Sequence, residues 1–173
     1  INTDFAETEV DDRQINLTRF PIRFPEKRDF FLEGANIYQF APRSGVYPYF
    51  SRKIGLQSGN PVPILFGGRI IGKIGKVEVA AQQVKTRETS SLNSEDFSVI
   101  RLKQNFWKES SVGVLYTRRH TSKGNEINPP LPNRNTLGVD LTLNTSTFLK
   151  NQNLQFQAFA IFHNPNTLNE INN

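Results

Sequence analysis

The chain of 173 residues contains no cysteine, no methionine, one tryptophan and two histidines. Nowhere do about 18 apolar residues follow one another, so a transmembrane helix is excluded. A transmembrane β-barrel is not excluded, because its strands are short and only half apolar. Without cysteine there are no disulfides and no thiolate metal sites. The histidines, His120 and His163, fall at strand ends without the i, i+4 spacing of a zinc-binding helix, and no metal is expected. Nor is any cofactor expected: Gly67-Gly68 and Gly72-Lys73-Ile74-Gly75 sit in a strand and a turn, where glycine means bend or close approach, not a phosphate loop. No serine lies in a nucleophile elbow. A leader would show a basic start and an apolar core, and residues 1–20 have neither. Together with the missing methionine and the first residue Ile1, this gives the expectation of an internal piece of a longer protein.

The net charge is +5. Residues 1–60 carry eight basic and eight acidic side chains, so the excess lies entirely in residues 61–173. The cations there are scattered among strands, with no dense basic run and no nucleic-acid module, so nucleic acid is not an expected partner. The tripeptides Asn16-Leu17-Thr18 and Asn144-Thr145-Ser146 match a glycosylation sequon, which matters only in a eukaryotic secreted protein.

Two regions follow: residues 1–60, irregular and rich in proline, phenylalanine and charge, and residues 61–173, strands and turns. Successive strand side chains point to opposite faces. Leu137, Val139, Leu141 and Leu143 alternate with Gly138, Asp140, Thr142 and Asn144. Residues 154–162, 98–106 and 111–119 repeat the pattern, and 62–72 and 76–86 read as two further strands. The links Ile74-Gly75, 107–110 and 145–153 form the shorter set, and 87–95, equal in length to 145–153, with the much longer 120–136 form the other, polar set. In an up-and-down meander the two sets fall on opposite ends of the sheet, an asymmetry typical of outer-membrane barrels. The strands are also long, at about 9–11 residues, which is the length of a tilted membrane strand. The fold class expected is therefore all-β: an antiparallel up-and-down meander, a fragment of a transmembrane β-barrel, with a short helical or irregular insert near residues 11–34. Soluble sandwiches alternate as well, so the periodicity alone leaves both open. Residues 1–10 and 47–57 are candidates for one or two additional strands.

The insert has its own local logic. Pro25 suits a first helical position, Glu26 the positive end of a helix dipole, and Gly34 the left-handed residue that ends a helix. A second short helix is expected from Asp11 or Asp12 to Phe20. The motif Pro25, Glu26, Lys27, Arg28, Asp29, Phe30, Phe31, Glu33 and Gly34 reads as a plug-like, ion-paired segment turned inward, its charges meeting Arg101, Lys103 and Asp140. Glu26, Asp29 and Glu33 are the weak catalytic candidates, because a glycosidase needs two carboxylates about 5–9.5 Å apart. Carboxylates beside Lys and Arg more often form ion pairs.

The run from Arg19 to Gly34, with Asn2-Thr3-Asp4-Phe5-Ala6 before it and Phe50-Ser51-Arg52-Lys53-Ile54-Gly55 after it, resembles a domain-of-unknown-function family of bacterial outer-membrane β-barrel proteins. The resemblance spans roughly residues 1–85; the later strands match in pattern only, and Arg23 stands where an apolar residue is usual. It implies an outer-membrane location and lipid or lipopolysaccharide as partner. Family members usually carry an upstream domain similar to a family-9-type carbohydrate-binding module, which implies a link to glycans through a segment outside this sequence. The function expected is a non-enzymatic channel or scaffold linked to surface glycan binding or uptake. The alternatives are the barrel part of an envelope polysaccharide hydrolase and a soluble β-rich binding domain. Arg118, Arg119 and Lys123, next to His120, are candidates for gripping lipopolysaccharide phosphates.

Overall fold

The computed structural model describes residues 24–57, 60–88, 93–122 and 133–165. The expected helix before Phe20, the strand in residues 1–10, Lys123 and most of the 120–136 link lie outside the described residues.

Alternating sequence becomes alternating structure. A two-residue ladder pairs β1 (Leu56–Gln57) with β2 (Asn60–Pro61), and six longer strands form a second sheet. These are β3 (Ile64–Ile74), β4 (Val77–Thr86), β5 (Glu95–Phe106), β6 (Ser110–Thr121), β7 (Arg134–Phe148) and β8 (Gln152–Pro165). They neighbour one another in sequence order, every pair antiparallel. The sheet is an open up-and-down meander with β3 and β8 at its edges.

Strands β5 to β8 run longer than the sequence pattern suggests. Residues 145–153, expected as a link, are mostly strand: β7 continues through a bulge to Phe148, and only residues 149–151 turn. The gain is physical: pairing Thr145 with Leu154 and Phe148 with Gln152 gives backbone groups partners that a loop would leave to water. Residues 75–76, 107–109 and 149–151 thus make three short turns at one end, with the longer links at the other. Residues 47–57 add no strand to the large sheet; they form a 3-10 turn at Ser51–Lys53 and β1.

Register defines two faces. On one face, three successive cross-strand rows read Ile70-Ala81-Ile100-Tyr116-Leu137-Phe162, Gly72-Val79-Leu102-Val114-Val139-Ala160 and Ile74-Val77-Gln104-Val112-Leu141-Ala158. None of these positions is charged. The opposite face carries Arg69, Lys73, Glu78, Arg101, Lys103 and Asp140 within the three corresponding rows.

The insert, residues 24–55, covers the charged face. Its helix α1 spans only Asp29–Leu32, followed by a 3-10 turn at Ala35–Tyr38. The expected start at Pro25 is displaced because Glu26 Oε1 accepts the backbone N–H of both Lys27 and Arg28, each at 3.1 Å. A side chain that satisfies these groups locally competes with the helix. Gly34 does end α1 in the left-handed region (φ 69°). A Cβ there would collide with the Ile71 side chain of β3. Two seams of buried apolar side chains bind insert to sheet: Phe31 and Ile54 against Ile64 and Val84, and Ile37, Tyr38, Phe40 and Ala41 against Ala80, Val99 and Leu115.

Candidate functional site: the ion-paired seam between insert and sheet

At the centre of the covered face β5 supplies Arg101 and β7 supplies Asp140. Their side chains are 1% and 5% exposed, and the contact is bidentate: Nη1 to Oδ1 at 2.5 Å and Nη2 to Oδ2 at 3.0 Å. Sequence alternation places both inward, and β6 between them places Gly113 opposite Asp140. A Cβ on Gly113 would stand 2.7 Å from Arg101 Nη1, so glycine is what lets the guanidinium cross that strand. Gly138 makes equivalent room for the Phe40 ring, whose Cε2 would be 2.6 Å from a Cβ there.

Arg101 also donates to the insert, from Nε to the Ile37 carbonyl at 3.3 Å and from Nη2 to the Gln39 carbonyl at 3.1 Å. Asp140 Oδ2 accepts the Ala41 N–H at 3.5 Å. An arginine fork filled on both edges is a geometric clamp as much as an electrostatic one.

A second clamp comes from Arg69 of β3, which donates to the Phe30 carbonyl, to the Glu33 carbonyl at 2.6 Å and to the Glu33 carboxylate. A third is internal to the insert. Arg28 donates to Glu26 from Nε and Nη2, both at 2.8 Å, to the Ile54 carbonyl at 2.7 Å and to the Ser51 carbonyl at 2.8 Å. The Ser51 hydroxyl completes Glu26 at 2.6 Å, and the Arg28 guanidinium lies 4.2 Å from the centre of the Phe31 ring. Burial alone would raise the Glu26 pKa, but the hydrogen bonds from Arg28 and Ser51 and the Arg28 charge outweigh it and hold the carboxyl below its ordinary value. Burial pushes the phenol of Tyr38 up to about 12 and that of Tyr49 higher still. Both remain neutral, and Tyr49 accepts a hydrogen bond from Gln82 of β4 at 2.9 Å.

The residues singled out by sequence therefore meet different partners from those expected. Arg101 and Asp140 pair with each other and reach the insert through its backbone, while Glu33 meets Arg69 instead. Among the described residues Lys103 has no ion-pair partner. Glu26 and Glu33 are each engaged by an arginine, and Asp29 is an exposed first-turn residue of α1. Pro25 and Lys27 are exposed, and Phe30 packs edge-on against Phe31 at 5.0 Å. Arg118 and Arg119 leave opposite faces of β6. Arg118 pairs in register with Ser98 and Asn135, whereas Arg119 turns inward to Glu95, with Nη2 at 2.5 Å from Oε1. Among the described residues no group of three or more His, Asp or Glu could hold a metal ion.

Arg69, Tyr49 and Gln82 went unnoticed in the sequence, and Ser51 stood out only as part of the run 50–55, with no role. Gly113 and Gly138, glycines within clean strands, were the available signal that a large side chain passes over each.

Fold and seam define a class: an all-β antiparallel meander whose polar face is clamped under an aromatic, ion-paired insert. Residues 1–66 match the family model described as Domain of unknown function (DUF5916). The match takes in the insert and only the start of β3, less than the span of about 85 residues expected. No curated protein and no solved structure matches the chain.

Proposed function

We propose that this chain is a section of the wall of a bacterial outer-membrane β-barrel, with the insert held against the lumen side as a plug-like, non-enzymatic element. The observation that carries the reading is the uncharged face. Large apolar side chains stand exposed along it on β3, β5, β6, β7 and β8, with Ile70 73% and Ile74 76% exposed, and β4 adds the half-buried Val77 and Val79. In water a continuous apolar surface of this kind is an aggregation liability; against lipid it is the ordinary exterior of a barrel.

Three features support it. Leu154 to Phe162 on β8 extend about 27 Å along the strand, and a tilt near ~40° projects that to about 20 Å, close to the height of a barrel's apolar band. The turn asymmetry matches short periplasmic turns and longer outside loops. Trp107, Phe106, Phe148 and Leu149 gather at the short-turn end, Trp107 being 79% exposed, which suits an interfacial aromatic belt. At the other end Arg118 and His120 head the outward face beside Asp96 and Asn135, and this is where lipopolysaccharide phosphates would meet the wall. Closure requires further strands between the edges of β8 and β3.

The only tryptophan provides the test. The chain is refolded with phospholipid vesicles whose acyl chains carry bromine at defined depths. Trp107 emission is expected to be quenched, most strongly by bromine nearest the headgroups. A chain that stays in the supernatant as a cooperative monomer, with Trp107 unquenched at every depth, overturns the proposal.

A further inference from the structure

Beside the seam, toward the end with the longer links, the insert and the covered face enclose a cleft of about 290 Å³. Its two sides differ chemically. One is apolar and aromatic, formed by Tyr47, Pro48 and Phe50 of the insert with Val99 below. The other is cationic. Arg119 of β6 stands directly opposite Arg134 of β7 in the ladder, His163 of β8 lies one row away across from Thr136, and Lys53 reaches in from the insert.

Like charges directly opposed on neighbouring strands are destabilising. Only Arg119 is compensated: Glu95 accepts from its Nε at 3.1 Å and its Nη2 at 2.5 Å, and the Phe97 ring lies 5.5 Å from its guanidinium carbon. Among the described residues neither Arg134 nor Lys53 has a carboxylate partner. Thr136 Oγ1 and His163 Nδ1 are 2.8 Å apart, which fixes that ring at the mouth of the cleft.

We infer that this cleft binds an amphipathic organic anion: a carboxylate or phosphate held by Arg134 and Lys53, on a body of one or two rings seated against Tyr47, Pro48 and Phe50. The arginine fork matches both oxyanions, and the cleft lies at the small end of ligand-pocket volumes. The inference goes beyond the barrel reading and holds whether or not the outer face meets lipid.

The test uses the whole chain folded in non-ionic detergent micelles, titrated calorimetrically against empty-micelle blanks. The probes are benzoate, phenyl phosphate, inorganic phosphate and benzyl alcohol. Saturable binding is expected for benzoate or phenyl phosphate, and the better of the two identifies the oxyanion. That binding should weaken with added salt. Arg134→Gln, an exposed position whose loss does not disturb the seam, should weaken it about ten- to a hundredfold, the worth of a charge-assisted hydrogen bond. Lys73→Gln, on the same face at the other end, should leave it unchanged. The inference fails if neither aromatic anion saturates, if benzyl alcohol binds as well as benzoate, if inorganic phosphate binds as tightly as phenyl phosphate, or if Arg134→Gln has no effect.

Discussion

Along β7, Leu137, Val139 and Leu141 share a strand with Gly138 and Asp140 yet meet opposite surroundings. The apolar three face outward, Leu137 and Val139 exposed and Leu141 half-buried among the described residues, while the glycine and the carboxylate are buried beneath the insert. The same inversion holds on β5, where Ile100 and Leu102 are exposed and Arg101 between them is 1% exposed. A protein folding in water places its apolar residues inside and leaves its charges out. Here the sheet's charged face is the one that acquires a cover, and that cover is built of aromatic rings, carbonyl groups and ion pairs fitted to it. The two faces thus differ in both composition and cover, and the comparison can be broken from either side.

The largest effect is expected on the covered face. Asp140→Ala leaves the Arg101 guanidinium buried without its carboxylate, and breaking one side of a buried pair costs about 3–5 kcal/mol. The insert should then lose its central clamp, since Arg101 also holds the carbonyls of Ile37 and Gln39. Arg101→Met combined with Asp140→Leu should recover most of the loss, because it removes both charges at once. Urea titration of the refolded chain, followed by Trp107 emission, reads both variants. A mild Asp140→Ala would mean that water reaches the pair.

On the outward face the expected effect is smaller and depends on the surrounding medium. Val139→Arg places a cation in the middle row of the uncharged face and should cost about 2–4 kcal/mol in a folding assay with lipid vesicles. Thr142→Arg, on the covered face beyond Asp140 and beside Ser111 in register, should cost far less. Equal tolerance of the two would remove the distinction between the faces.

Much of this was legible in the sequence. Period-two alternation located all six strands of the sheet, and the unequal links located its two ends, because both are local properties of the chain. Strand ends were less legible: residues 145–153 look like a loop, and only the partner strand makes pairing there favourable. The helix start was misplaced because Glu26 was read as a dipole partner, when its side chain instead takes the N–H groups of residues 27 and 28. The seam was half legible. That Arg101 and Asp140 face inward follows from alternation, but that they meet each other depends on β6 offering Gly113 between them. Partner choice across three strands and an insert is a long-range property, and composition carries no trace of Arg69 reaching Glu33.

The smallest effect is the most selective. Because the folded Glu26 carboxyl lies below its unfolded value, it contributes stability that is complete above the unfolded pKa, about 4.3, and is lost as pH falls through the folded one. Below about pH 5 the difference in stability between the wild-type chain and Glu26→Gln should therefore shrink, while at pH 7 it should be constant. Protonation would weaken the contacts of Glu26 with Ser51 and with Arg28, the residue that holds the carbonyls of Ser51 and Ile54, and neither contact involves Arg101, Asp140 or the outward face. Acid should accordingly loosen one end of the insert before it disturbs the sheet. Protease cleavage between residues 24 and 55, measured against pH beside amide exchange in β6, reads the two events separately. Cleavage that rises only when β6 also exchanges would mean that insert and sheet yield as one unit, with no independent weakness at Glu26.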